Sequence, residues 1–208
     1  MRQHWFFIIL IIMALVLPTS AQVTTPPKGK SFDAQQKEQI QIDDQLASQY
    51  FREQDYEKAR DLYANLYQKT GQIGYFQQYT ECLIQLKDFN QAEKELKAFS
   101  KQNPNHYKSV ADLIYVYILQ GENGKAEKRF NEVLKDLPNN ASTIRSISYA
   151  FQGRALNDMA KSILEKGNKM LDNGETLYMD LAYLNQTMVN YQEAFHYYFL
   201  EIEAHPGP

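Results

Sequence analysis

Apolar residues recur along this chain at spacings of three and four, in short blocks divided by polar and charged stretches. Phe76, Tyr79 and Leu83 share one helical face, as do Val110, Leu113 and Tyr117, and Ile144, Ile147 and Phe151. Shorter versions of the pattern are Leu46 with Tyr50 and Tyr178 with Leu181. A second set of blocks alternates with the first. In these, Ala59, Ala92, Ala126, Ala160 and Ala194 are each followed one turn later by a large residue: Tyr63, Leu96, Phe130, Leu164 and Tyr198. The five alanines lie 33, 34, 34 and 34 residues apart, a period that only a repeated structural unit produces. Pro104, Pro138 and Pro206 each follow one of them by 12 residues, where a helix should stop and the next unit begin. Strand-like alternation is absent, so the pattern predicts an all-α array of short helical pairs.

Placing each marked alanine at position 20 sets the units at 40–72, 73–106, 107–140, 141–174 and 175–208. A small residue is needed at that position because two helices cross there closely. Glycines bear on the fourth unit. Gly153 and Gly167 fall within its expected helices, and glycine weakens a helix interior, so this unit is expected to be the loosest.

The first 21 residues read as an export signal and not as part of the fold. Arg2 precedes the apolar run Trp5 to Leu17, and Pro18-Thr19-Ser20-Ala21 ends in small residues, which predicts cleavage before Gln22. The run is shorter than the roughly 20 residues a membrane helix requires, so no membrane insertion is expected after cleavage. Residues 22–39 then serve as a spacer and an N-terminal cap. Pro26, Pro27 and Gly29 mark the extended part, Ser31 or Asp33 can cap a following helix, and the glutamine-rich stretch 34–45 suits the solvated end of an array.

Composition narrows function by exclusion. A formal net charge of -3 offers no basic stripe for a phosphate backbone, so nucleic acid is not expected as a partner. Cys82 is the one cysteine, which rules out an intrachain disulfide, and its apolar setting beside Leu83 and Ile84 reads as core. Glu193 and His196 have the Glu-x-x-His spacing of carboxylate metal sites, but the second pair such sites need is missing. Gly-rich phosphate loops, nucleophile elbows and His-Glu-x-x-His motifs do not occur, so no catalytic residue, metal or cofactor is expected. Asn140-Ala141-Ser142 and Asn185-Gln186-Thr187 fit the glycosylation sequon, which matters only in a eukaryotic secretory route. Lys97 and the run Glu122 to Lys128 read as solvated helix surface.

The period, the alanine with its following large residue and the closing proline together resemble the tetratricopeptide repeat. Several positions depart from it: Asp43 replaces the large first residue of unit 1, Thr80 and Ile114 the small residue of units 2 and 3, and Asn185 an aromatic of unit 5. The resemblance implies a right-handed α-solenoid of five repeats whose first helices line a concave groove for a peptide or a partner's helix. Position 9 of units 3, 4 and 5, on the groove side, is Tyr115, Tyr149 and Tyr183, a ladder suited either to binding or to packing between helices. The family's carboxylate clamp is not matched, since Asp44, Ser48, Gln77, Gln78 and Glu81 stand at the groove positions of the first units.

Three functions fit these features. The first is a non-enzymatic interaction scaffold of the bacterial cell envelope, exported to the periplasm. The second is an extracytoplasmic sensory input module of a longer membrane protein, and the third a glycan-binding outer-membrane helper. In the last unit, Phe195, Tyr198, Phe199 and Ile202 outnumber the neighbours available to cover them, so self-association through the C-terminal face is a further expectation.

Overall fold

The structure, a computed structural model, describes residues 32–172 and 174–206. The expected export signal, the extended spacer and the Ser31 cap lie outside the described residues. Ten helices and no strand occur among those described: α1 (Phe32–Arg52), α2 (Tyr56–Thr70), α3 (Ile73–Gln85), α4 (Phe89–Gln102), α5 (Tyr107–Leu119), α6 (Asn123–Lys135), α7 (Ala141–Gln152), α8 (Asn157–Met170), α9 (Tyr178–Thr187) and α10 (Tyr191–Ala204). No described helix is long and apolar enough to cross a membrane. The chain divides into a unit ending at Gln39 and a second, Ile40–Pro208. The second is a right-handed α-solenoid of helix-turn-helix pairs.

All five marked alanines are buried, none more than 3% exposed. The large residues one turn later follow them inward, with Tyr63, Leu96, Phe130 and Leu164 buried and Tyr198 partly so. First helices contribute the other half of the core: Phe76 and Leu83 from α3, Val110, Leu113 and Tyr117 from α5, Ile144, Ile147 and Phe151 from α7. Rings join the layers. Phe76 stacks on Phe99 at 4.1 Å between centroids, and Phe130 meets Phe151 edge-on at 5.6 Å. Unit 1 differs from its expected face, since Ala47 of α1 is buried while Leu46 stays exposed. Cys82 is fully buried, and burial pushes its thiol up to about 12, so it remains protonated as a core residue.

The turn between the two helices of each pair has one geometry throughout. Gln54, Lys87, Gly121, Ala155 and Val189 all adopt a left-handed conformation, with φ between 56° and 75°. The N–H after each donates back to the first helix: Asp55 to Tyr50, Asp88 to Leu83, Glu122 to Tyr117, Leu156 to Phe151 and Asn190 to Asn185. This is the Schellman arrangement, which satisfies carbonyls that a helix end leaves open. The carbonyls of Asp55, Asp88, Glu122, Leu156 and Asn190 then accept from the N–H groups of the five marked alanines, starting each second helix.

The two glycines do not break the helices of the fourth unit. Gly153 ends α7 and does not interrupt it, and α8 runs unbroken through Gly167 to Met170. A Cβ at Gly167 would stand 2.6 Å from Ile144 Cγ2, so the glycine is what lets α8 approach α7 closely. Asn185, in place of an aromatic, is also fully buried. Its Nδ2 donates to the Leu181 carbonyl at 2.8 Å, while Oδ1 has no partner.

At the far end, α10 leaves an apolar stripe open. Phe195 and Phe199 are each 65% exposed and Ile202 63%. The positions that Phe195 and Phe199 occupy carry Arg60, Glu93, Glu127 and Lys161, and Ala64, Lys97, Asn131 and Glu165, in the four preceding second helices.

Candidate binding groove

Position 9 of the last three first helices lies on the same side of the array, but its residues meet different surroundings. Tyr149 on α7 and Tyr183 on α9 are 59% and 57% exposed. Tyr115 on α5 is half-buried beneath the Arg154 guanidinium, 5.3 Å from its ring centroid. The ladder is therefore mixed in role: two rungs offer accessible rings and one is fixed by a cation. Tyr149 donates to Asp180 Oδ1 at 3.4 Å, and Asp180 in turn takes Arg145 Nε at 2.7 Å, which holds α7 and α9 in register. Tyr183 meets Tyr198 of α10 edge-on at 6.1 Å.

Tyr149 also lines a hollow of about 570 Å³ shared by three units, with Glu81 of α3, Lys108 and Asp112 of α5, and Ser146 and Arg154 at its sides. Tyr115 and Tyr183 are not among its lining residues. The hollow is built on an ionic network that sequence reading does not anticipate. Asp112 is 1% exposed, and Arg154 Nε donates to its Oδ1 at 2.6 Å while Lys108 Nζ lies 3.0 Å from Oδ2. The Arg154 Nη2 group reaches Glu81 Oε2 at 2.7 Å. Burial acts to lower the Arg154 pKa, but the Asp112 and Glu81 carboxylates outweigh it and raise the pKa further, so the guanidinium stays charged. Burial likewise acts to raise Glu81, and its bonds with Arg154 and Gln85 reverse the sign and hold it below the usual carboxylate range.

His106 closes one wall. Its Nδ1 accepts from the Ser109 N–H at 3.3 Å, capping α5, and Nε2 lies 3.1 Å from the Gln77 amide nitrogen. Burial lowers its pKa, which keeps the ring neutral at pH 7. Neighbouring groups thus leave this hollow with a balanced charge and an aromatic wall, suited to a chain carrying both polar and apolar side chains. Elsewhere, Glu193 Oε2 is engaged with Lys161 at 2.7 Å.

The sequence offers only local signals for these residues. Asp112 interrupts the apolar run Val110-Ala111-Asp112-Leu113-Ile114, a visible anomaly, yet its partner Arg154 stands 42 residues away in a turn.

Comparison with known proteins bears on the fold. A tetratricopeptide-repeat family model matches residues 83–147. No curated protein matches the chain. Among solved structures, MamA of Desulfovibrio magneticus RS-1, from residue 41 to its end, is similar at 16% identity and a TM-score of 0.43, covering 79% of this chain and 94% of that one. A thermophilic TPR protein of Thermus thermophilus is similar at 19% identity and a TM-score of 0.43, covering 80% of this chain and 92% of that one.

Proposed function

We propose that this chain, whose residues 83–147 are tetratricopeptide repeats and whose other helices keep the same period, is a non-enzymatic scaffold that binds a protein segment in its groove. The observation that carries this reading is the hollow of about 570 Å³ walled by Tyr149 and floored by a fixed ionic network. Exposed rings on a rigid frame give large contact area for little lost freedom, and the buried charges orient polar groups of the ligand. The occupant is an extended peptide or a partner's helix. Its place of action is the bacterial cell envelope, with export in the direction that the apolar run Trp5 to Leu17 supports.

The test is copurification of the tagged full chain from envelope extracts. Changing Tyr149 and Tyr183 to Ala should remove the bound partner while lowering stability by only about 1 kcal/mol in total, since both rings are largely exposed and each loses one peripheral contact. Tyr115→Ala should instead lower the melting temperature. Retention of the partner by the Y149A/Y183A variant would rule the groove out.

Self-association of the same chain is part of this proposal. The stripe on α10 is apolar where four other second helices are mostly polar, and α1 exposes Ile42 and Leu46 on a first helix, so one copy's α10 matches another's α1 as a next unit would. Light scattering should show concentration-dependent assembly that Phe195→Ser with Phe199→Ser abolishes. A monomer at all concentrations in the unaltered chain would contradict it.

A further inference from the structure

The array carries a second hollow on its outer side, independent of the groove. It measures about 540 Å³ and lies between α4 and α6, floored by Leu113 and Tyr117 of α5. Five cations ring it: Lys97 and Lys101 from α4, and Lys125, Lys128 and Arg129 from α6. In sequence these are ordinary surface charges. The repeat geometry brings them together because α4 and α6 are successive second helices on the same side of α5.

Three of the five are already neutralised. Lys97 pairs with Glu93, Lys125 with Glu122 at 3.2 Å, and Arg129 with Glu132 at 2.8 Å. Lys101 and Lys128 have no ion pair among the described residues, so two positive charges remain uncompensated in a chain whose net charge is -3. The arrangement is also braced by one aromatic ring. Lys97 and Lys125 place their ammonium groups 5.5 Å and 5.8 Å from the centroid of the same Tyr117 ring, which is 5% exposed.

Ser100 supplies an independent pointer. It lines the hollow, is 6% exposed, and its Oγ has no hydrogen-bond partner. A helical serine can return its hydroxyl to the carbonyl four residues back. Here the Oγ is closed off even from solvent and idle, which costs free energy unless a turn about χ1 brings it to a ligand in the hollow.

We infer that this hollow binds a phosphate group, taken up as a dianion between Lys101 and Lys128 with Ser100 donating to one of its oxygens. Two free ammonium groups match one dianion, and lysine acts on phosphate as a point charge. A carboxylate ligand is less suited, because Arg129, the one guanidinium present, has its fork engaged by Glu132. The positive charge is confined to one hollow and does not extend as a stripe, which sets it apart from a nucleic-acid backbone site.

The phosphate can come from a soluble ester or from a lipid headgroup, and two measurements separate these. Inorganic pyrophosphate titrated into the ¹⁵N-labelled full chain at physiological ionic strength should shift the amides of Ser100, Lys101 and Lys128 saturably. Cosedimentation with phosphatidylcholine vesicles, with and without phosphatidic acid, whose phosphomonoester can carry two charges, reads the headgroup source. In either case K101A/K128A should weaken binding about tenfold or more, and S100A measurably, while Lys135→Ala on the same helix leaves it unchanged. These lysines are exposed, so the variants keep the fold. Binding to neither probe, or binding that K101A/K128A leaves intact, overturns the inference.

Discussion

Replacing Arg154 with methionine is expected to destabilise the array by about 3 to 5 kcal/mol, a large share of a typical folding margin. The side chain is 12% exposed and its departure leaves Asp112, at 1% exposed, with only the half-exposed Lys108 for compensation. A buried carboxylate without its cation is among the costlier defects a core can hold. Changing Asp112 to Asn in the same chain should recover part of the loss, because the stranded charge is then gone. Urea unfolding followed by circular dichroism measures both steps. A loss below about 1 kcal/mol would mean the network contributes little. The same network sets an acid limit. Glu81 is held below its ordinary pKa, so its contribution is present above the unfolded value and is lost as pH falls through the lower folded value.

Gly167→Ala is the second large effect, and its sign runs against the helix propensity scale. Alanine in a helix interior ordinarily gains about 1 kcal/mol over glycine. Here the added methyl would meet Ile144 Cγ2 at 2.6 Å and Cδ1 at 2.9 Å, and Ile144 is itself fully buried with no room to move. Overpacking of this kind costs about 1 to 3 kcal/mol, so the gain is cancelled and a net destabilisation of up to about 2 kcal/mol is expected. Ile144→Ala removes the obstructing carbons. Combined with Gly167→Ala it should cost less than the sum of the two single changes, and a double-mutant cycle reads that coupling directly. Additive losses would show that the two residues do not compete for the same space.

The helical pairs are legible in the sequence because their cause is local and periodic. Alanine at Ala92 or Ala160 and a large residue one turn later are a pattern that survives in the linear chain. Gly167 misleads for the opposite reason: its role depends on Ile144, on another helix, and propensity knows nothing of that. Spacing alone points Leu46 inward, whereas the burial of Ala47 reflects how α1 is rotated. In the groove, phase finds Tyr149 and Tyr183, but phase cannot tell that Arg154 lies over Tyr115. The outer hollow is invisible for a related reason. Lys101 and Lys128 are each unremarkable, and only stacking of successive units puts them around one space.

The five intra-pair turns share one backbone but not one residue. Each holds a residue in the left-handed region, where glycine alone is free of steric strain, yet the residue is Gln54, Lys87, Ala155 or Val189 in four cases and Gly121 in one. Side-chain identity differs from copy to copy while the backbone does not, because the hydrogen bond back to the first helix and the helix start at the following alanine enforce it from both sides. Units held this way tolerate different residues at their corners with no change in the turn's backbone. The strain they accumulate is greatest at Val189, a branched residue at φ 61°, so further drift there toward glycine would relax the turn and leave its geometry unchanged.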